Sequence, residues 1–289
     1  MAARTDGVVR ETPQPVCSQI SSGSGRMTVG QVQEIQIGAL TATVLQLGEL
    51  SDDLSGWFEK DTVALPEGLS RLPINCLHVS GPGISILIDA CDPGLYPDVR
   101  QTGSDIGQSL ETAGIAPEGI THVILTHGHH DHFCGVASPS NEPVFRSARH
   151  ILASQDWGKG TLTPEAQMAD GNAADPSPLE MLFQRGLLDL GESTVTLPPQ
   201  INLIDAPGET RGHRVVRLSS GGDVLYFLAD LFHVQAEIDD PGLCPLWADV
   251  TALTESRTQI VSAIRRDNAR FLCSHISTFF PASVFATPR

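Results

Sequence analysis

The stretch Ile120-Thr121-His122-Val123-Ile124-Leu125-Thr126-His127-Gly128-His129-His130-Asp131-His132-Phe133-Cys134-Gly135 decides the reading of this chain. Its first seven residues are mostly apolar and β-prone, the pattern of a buried strand. The next six place four imidazoles and a carboxylate at the end of that strand. Such a group is costly to fold unless something binds it. Imidazole and carboxylate are the donors that suit zinc, iron, manganese or cobalt. His127 and His129 lie two apart, so an extended backbone points both at one metal. Asp131 and His132 are adjacent, which suits a turn that carries both to a second metal. His130 falls out of the pattern and is expected to point away.

Working toward the N-terminus, Ile84–Ile88 reads as a strand that ends at Asp89 and forms a hairpin with 74–79 across Ser80-Gly81-Pro82-Gly83. Residues 104–115 fit a helix with Ser104 as N-cap and Ile106, Leu110 and Ala113 on one face. Residues 49–73, with Glu49, Asp52, Asp53, Trp57, Phe58, Pro66 and Pro73, read as a long loop. Trp57 and Phe58 either line a cleft or anchor that loop to the body. Residues 31–48 alternate as first strands. Residues 1–30, with Pro13, Pro15 and a Ser-Ser-Gly-Ser-Gly run, read as a flexible tail ahead of a domain over 31–289.

Toward the C-terminus, Val144–Ser154 reads as a strand pair, and a helix is expected to begin at Asp156-Trp157. Residues 158–178, rich in Gly, Pro, Ala and Asp, read as a lid or insert. A helix is expected over Leu179–Leu190 and strands over 194–197, 201–205, Leu225–Ala229 and Phe271–Cys273. The longest helix is expected over 249–268. Asp230 and His275 follow short β-rich runs, as His127 does, and His213 follows a strand and a Pro-Gly turn. Side chains at several strand ends converge on one edge of an open α/β sheet, where such architectures place their sites.

His-X-His-X-Asp-His after a Thr-ending strand resembles the metallo-β-lactamase superfamily. Pro207-Gly208-Glu209-Thr210-Arg211-Gly212-His213 resembles that family's Pro-Gly-His-Thr-X-Gly-His element, with Glu209 where a His is common. The resemblance implies an α/β fold, an αβ/βα sandwich of two central sheets flanked by helices. It also implies a ligand set. One metal takes His127, His129 and His213, the other takes Asp131, His132 and His275, and Asp230 bridges them. Two divalent cations are expected, zinc first, with Mn, Co or Fe as alternatives. Asp89 is expected to support the ligands from behind, or simply to form a turn. The position of Glu209 is not usually a ligand, so the departure bears on local hydrogen bonding.

The formal charge, 18 − 34 = −16, disfavours nucleic acid and anionic membranes as partners. No run of about 18 apolar residues exists, so no membrane span is expected. No secretory signal is evident. Six scattered cysteines, Cys17, Cys76, Cys91, Cys134, Cys244 and Cys273, read as thiols of a cytoplasmic protein. The partner expected is a small-molecule substrate, with a homodimer left open.

The resemblance implies a hydrolase in which a metal-bridging hydroxide attacks a carbonyl or phosphoryl centre. Asp131 then orients the nucleophile and shuttles a proton. Asp230 disfavours the lactamase branches that use a Cys ligand, and little chain follows His275 to supply the C-terminal region of glyoxalase-like thioesterases. The quorum-sensing lactonase and methyl-parathion-hydrolase-like branch fits best. Lactonases often carry a Tyr three residues after the bridging Asp, whereas this chain has His233 there, a candidate donor to the substrate oxygen. The expected function is therefore hydrolysis of small esters or lactones, with phosphotriesters in range. The alternatives are a mononuclear iron thiol-persulfide dioxygenase, a glyoxalase-like thioesterase, and a ligand sensor with vestigial activity.

Overall fold

The computed structural model of the chain describes residues 32–59, 68–91, 105–163, 168–169, 172–173, 175–191 and 196–285. The N-terminal tail expected over 1–30 lies outside these residues. Alternating apolar residues start the first sheet with β1 (Val32–Ile37), β2 (Leu40–Asp53), β3 (Leu69–Gly81), β4 (Ile84–Ile88), β5 (His122–Ile124) and β6 (Arg149–Ile151). Two short ribbons follow, β7 (Trp157–Gly158) with β8 (Thr161–Leu162) and β9 (Met168–Ala169) with β10 (Asn172–Ala173). β11 (Leu188–Asp189) then closes the first sheet, in the order β1-β2-β3-β4-β5-β6-β11. The second sheet runs β12 (Ile201–Asp205), β13 (Arg214–Ser220), β14 (Asp223–Phe227), β15 (Arg270–Leu272) and β16 (Phe280–Pro281) in that order.

The sheets face each other across one apolar layer, to which Ile37, Val44, Val79 and Ile86 contribute from the first and Val216, Leu218, Leu225 and Phe227 from the second. On the outer face of the first sheet, Leu87 and Val123 meet Leu110 of helix Ile106–Thr112 and Leu182 of helix Ser177–Gln184. On the outer face of the second, Val215, Tyr226 and Phe271 pack against Leu253, Ile260 and Ile264 of helix Val250–Asp267. This is the expected sandwich of two sheets flanked by helices. Strands β4, β5 and β6 are parallel, as are β14 and β15, and β13 is antiparallel to β14. The carboxyl ends of β4, β5, β14 and β15 and the start of β13 therefore come to one edge.

Several local expectations are corrected. The loop expected over 49–73 is largely sheet: β2 continues to Asp53 and pairs with β3 from Leu69, with Leu50 opposite Leu72, while 60–67 lies outside the described residues. Pro73 is tolerated because β4 pairs only with Leu77–Gly81, so no neighbouring strand needs an N–H from that part of β3. The expected cap, Ser104, lies outside the described residues. Asp105 caps the helix instead, its carboxylate accepting from Gln108 N at 2.7 Å. A single strand, β6, stands where a pair was expected over Val144–Ser154, and a 3-10 turn over Ser154–Asp156 leads into β7 where a helix was expected. The helix expected to reach Leu190 ends at Gln184, because Gly186 turns the chain at φ +67° and Leu188 joins the sheet. The strand expected over 194–197 lies partly outside the described residues, and 196–197 is not a strand. Among the described residues, no helix is long and apolar enough to cross a membrane.

His150 on β6 is fully buried and neither of its ring nitrogens has a hydrogen-bond partner. Burial brings its pKa down to about 4. The unfolded chain takes up this proton near pH 6.5, whereas the folded chain resists until about 4. The unfolded state thus binds more protons across that window, and stability falls as pH drops through it. His150→Leu should reduce the stability lost between pH 7 and pH 4.5 by about 1–3 kcal/mol. Urea unfolding at the two pH values measures this, and an unchanged pH slope would clear His150 of the role.

Candidate metal centre

β5 ends at Ile124, and the chain leaves it through Thr126 and His127 toward the common edge of the sheets. His129 is extended, and a single helical turn over His130–Phe133 follows, so Asp131 and His132 are carried past the strand end as the spacing implied. His130 packs on Phe133, with ring centres 5.4 Å apart, and is in neither of the donor groups described below. β14 delivers Asp230 through Ala229, which takes the left-handed φ of +49°. β15 delivers His275, whose Nδ1 donates to the Pro73 carbonyl at 2.9 Å. His213 precedes β13, and its Nδ1 donates to the Ala206 carbonyl at 2.9 Å.

These elements bring together two groups of donor atoms, each within 4.8 Å of one another. One is His127, His129, Glu209 and Asp230, and the other is Asp131, His132, Asp230 and His275. Asp230 belongs to both. Its Oδ2 lies 3.1 Å from His132 Nε2, 3.3 Å from His275 Nε2 and 3.7 Å from His127 Nε2. His213 adjoins the first group without belonging to it, and its Nε2 accepts from the Asp230 backbone N–H at 3.2 Å. Glu209 was passed over in the sequence as a change of local hydrogen bonding, yet the structure seats it among the donors. His233 is also drawn in, buried, with Nε2 3.6 Å from Asp230 Oδ2 and its ring stacked on His275 at 5.9 Å. Trp57 is buried beside it, edge-on at 5.7 Å, and Trp247 lies at 5.8 Å. Of the two expectations for Trp57, the structure bears out the anchor, since Trp57 is buried in the core, and so is Phe58.

The donors fit a divalent cation. His127 Nε2, His129 Nε2, Glu209 Oε2 and Asp230 Oδ1 are buried atoms with no hydrogen-bond partner. Leaving such atoms unpaired costs about 1–3 kcal/mol each, more for a charge, and a cation held by these residues would relieve that cost. Burial, aided by His132 and His129, pushes the His127 pKa well below the usual imidazole range, and burial brings His213 to about 4. Both rings stay neutral; the lone pair of His127 Nε2 is unused, while that of His213 Nε2 accepts from the Asp230 backbone N–H. Burial alone would raise Asp131, but His132 and His275 bring it down to about 2. Burial likewise opposes the ionised form of Asp230, which His132 and His275 hold well below the usual carboxylate range. Burial would lower His275, yet Asp230 and Asp131 lift it to about 10. Cations entering here displace protons from such imidazoles.

Supporting residues hold the donors in place, and of these the sequence flagged only Asp89. Asp89, at φ +60° after β4, accepts from Thr126 N at 2.8 Å, Thr126 Oγ1 at 3.0 Å and His132 Nδ1 at 2.8 Å, so it supports the site rather than merely turning the chain. Asp156 ties the two donor loops together. Its carboxylate accepts from Gly128 N at 2.9 Å, Thr210 Oγ1 at 2.8 Å and Gly212 N at 2.7 Å. Gly212 is needed there, since a Cβ would lie 2.7 Å from the Asp156 carboxylate. Glu237 accepts from His233 N at 2.6 Å and Val234 N at 3.0 Å, and its other oxygen takes Arg257 at 2.5 Å. An Asp in a short turn and a Glu in a five-residue helix carry no sequence signal of their own.

The family model of the metallo-beta-lactamase superfamily matches residues 69–275, the segment that carries these donors. The chain belongs to the metallo-beta-lactamase superfamily. A metal-dependent hydrolase of Mesorhizobium japonicum is 33% identical over 124 residues, 40% of this chain and 45% of that protein. Metallo-beta-lactamase domain-containing protein 1 of Xenopus laevis is 32% identical over 82 residues, 28% of this chain and 29% of that one. The chain thus spans less than half the length of the curated relatives it matches. Among solved structures, the dizinc quorum-quenching lactonase AidC, in complex with a product, N-hexanoyl-L-homoserine, has a TM-score of 0.73 at 24% identity over 84% of this chain and 90% of that one. The hydrolase AbOPH has a TM-score of 0.70 at 18% identity over 88% and 98%. Both share this superfamily fold.

Asp156→Ala removes three hydrogen bonds to a buried carboxylate and uncouples the two donor loops. It should cost roughly 3 kcal/mol in unfolding free energy and release metal at lower chelator concentrations. Calorimetry and metal analysis measure the two effects; a variant that melts and holds metal as the parent does would show that Asp156 ties nothing together.

Proposed function

We propose that the chain is a dinuclear metal-dependent hydrolase of small-molecule esters or lactones, with phosphotriesters within reach of the same site. The observation that carries the reading is Asp230, the one residue common to both donor groups. A carboxylate has two oxygens and can serve two neighbouring cations while damping their repulsion. In this reading His127, His129 and His213 hold one cation, Asp131, His132 and His275 the other, and Asp230 both. Zinc is the first expectation, with Mn, Co or Fe as alternatives. When bound, the cations supply Lewis acidity and acidify a water so that it is hydroxide near neutral pH.

The chain's own groups do the rest. Asp131, the most open of the donors and 3.2 Å from His275 Nε2, orients the nucleophile and passes a proton to the leaving oxygen. His233 points Nε2 into the cluster while Glu237 holds Nδ1 at 3.3 Å, and it donates to the substrate's carbonyl or phosphoryl oxygen. Trp57 and Trp247 meet edge-to-face at 5.1 Å beside it and offer an apolar wall to an acyl or aryl group. The likeness to a lactonase fold supports a lactone as the first substrate to try. A small-molecule partner and a cytoplasmic location belong to the same reading; Cys91 and Cys134 sit 3.8 Å apart as two thiols.

The test is a panel of lactones, aryl esters and phosphotriesters on protein of known metal content. Metal content should approach two per chain under excess Zn, Mn or Co. Asp230→Ala should lose metal and drop hydrolysis by orders of magnitude. A plateau at one iron per chain, with thiol-dependent oxygen uptake, would replace the hydrolase by an oxidoreductase. Inertness of fully loaded protein toward the whole panel would leave a sensor.

His233→Ala should keep the metals and the fold and lose roughly 10- to 1000-fold in turnover. His233→Tyr should retain more lactonase than phosphotriesterase activity, because a phenol can donate to a carbonyl oxygen. Wild-type rates in the Ala variant on every active substrate would remove His233 from the mechanism.

A further inference from the structure

Glu209 stands where the family commonly has a His, and its surroundings are not those of a bystander. Its side chain is almost wholly buried. Oε1 accepts from Trp247 Nε1 at 2.7 Å and faces His129 Nδ1 at 3.3 Å and His233 Nε2 at 3.4 Å. These contacts account for one oxygen. Oε2 is buried and has no partner, as are His127 Nε2 and Asp230 Oδ1 in the same donor group. A salt bridge to His129 and His233 alone would leave that second oxygen desolvated for nothing, a cost native structures seldom bear.

The backbone that presents Glu209 is fixed. Gly208 has φ +139°, and a Cβ there would lie 2.4 Å from the Leu253 backbone. Gly208 N donates to the Thr210 carbonyl at 3.0 Å, and its own carbonyl accepts from Asp249 N at 2.8 Å, at the N-cap of helix Val250–Asp267. The carboxylate is therefore held against a long helix, the kind of rigid support a ligand needs. His213, the third imidazole of that set, differs in that its Nε2 already accepts from the Asp230 backbone N–H at 3.2 Å, a bond it would give up on taking a cation.

We propose that Glu209 is a ligand of the metal held by His127 and His129, so that three carboxylates, Asp131, Asp230 and Glu209, serve the centre instead of two. This rests on the metal-binding part of the proposed function and not on its substrate. The added oxygen donor favours a harder cation such as Mn(II) at that position relative to three imidazoles and the one carboxylate of Asp230. Its other oxygen, Oε1, accepts from Trp247 Nε1, so the carboxylate also fixes the wall beside the site.

The experiment compares wild type, Glu209→Gln and Glu209→His. Metal per chain is measured across a series of Co(II) buffers, with the visible spectrum of bound Co(II) and the melting transition of metal-stripped protein. Loss of a mere supporting hydrogen bond weakens metal binding by roughly 10- to 100-fold. Loss of a ligand should exceed that for one of the two metals and change the Co(II) spectrum, with metal-free melting retained. Glu209→His places the family's common residue there, so it should fold even if the Gln variant does not, and it too should lose affinity. Either folded variant with a wild-type spectrum and a smaller loss overturns the proposal. An inert substrate panel would instead refute the hydrolase reading and leave this result standing.

Discussion

Everything at the edge of this sandwich depends on keeping buried charge compensated. Asp230 sits among four imidazoles, those of His127, His132, His233 and His275, each within 3.7 Å of its Oδ2. A buried carboxylate costs several kcal/mol unless its partners are in place. The fold meets that demand by bringing strand ends from two sheets to one line, so that no donor depends on a long loop. The same constraint explains why so few of the surrounding polar groups are idle. Asp89 answers Thr126 and His132, Asp156 answers Gly128, Thr210 and Gly212, and Glu237 answers His233, Val234 and Arg257.

Arg257 shows how far the compensation reaches. It is among the largest fully buried side chains and lies on helix Val250–Asp267, outside the donor cluster. Its Nε donates to the Leu231 carbonyl at 2.8 Å, one residue past Asp230, while another nitrogen holds Glu237. The guanidinium also lies over Phe232, 4.6 Å from the ring centre. One planar cation thus fixes the carbonyl behind Asp230 and the carboxylate behind His233. Lysine, with a point charge, cannot make both contacts in one plane.

The cluster was legible in the sequence because its signals are local, and the sandwich followed from the family resemblance that those motifs carry. The apolar run before His127 and the two-residue spacing of His127 and His129 need no knowledge of distant residues. What failed was set by distant partners. Asp52 and Pro73 read as loop residues, yet β2 and β3 pair through this region because Leu50 and Leu72 face each other across it. Asp156 read as a helix start, while its carboxylate is claimed by Gly128 and Gly212, 28 and 56 residues away. Glu209 was visible as a departure, but its closeness to His129 and His233 exists only once β5, β13 and β14 converge.

The site is built against local preference, and that sets the balance between folding and metal. Asp89 and Ala229 hold left-handed φ values of +60° and +49° at the ends of β4 and β14. For Ala229, with no side chain to hydrogen-bond locally, this costs roughly 1–2 kcal/mol. Four buried donor atoms lack partners among the described residues. The three apolar layers must offset these costs before any ligand binds. A cation that binds the native donors and not the unfolded chain then adds its binding free energy to stability. Strain at Ala229 is the means by which Asp230 turns out of the strand direction toward both donor groups.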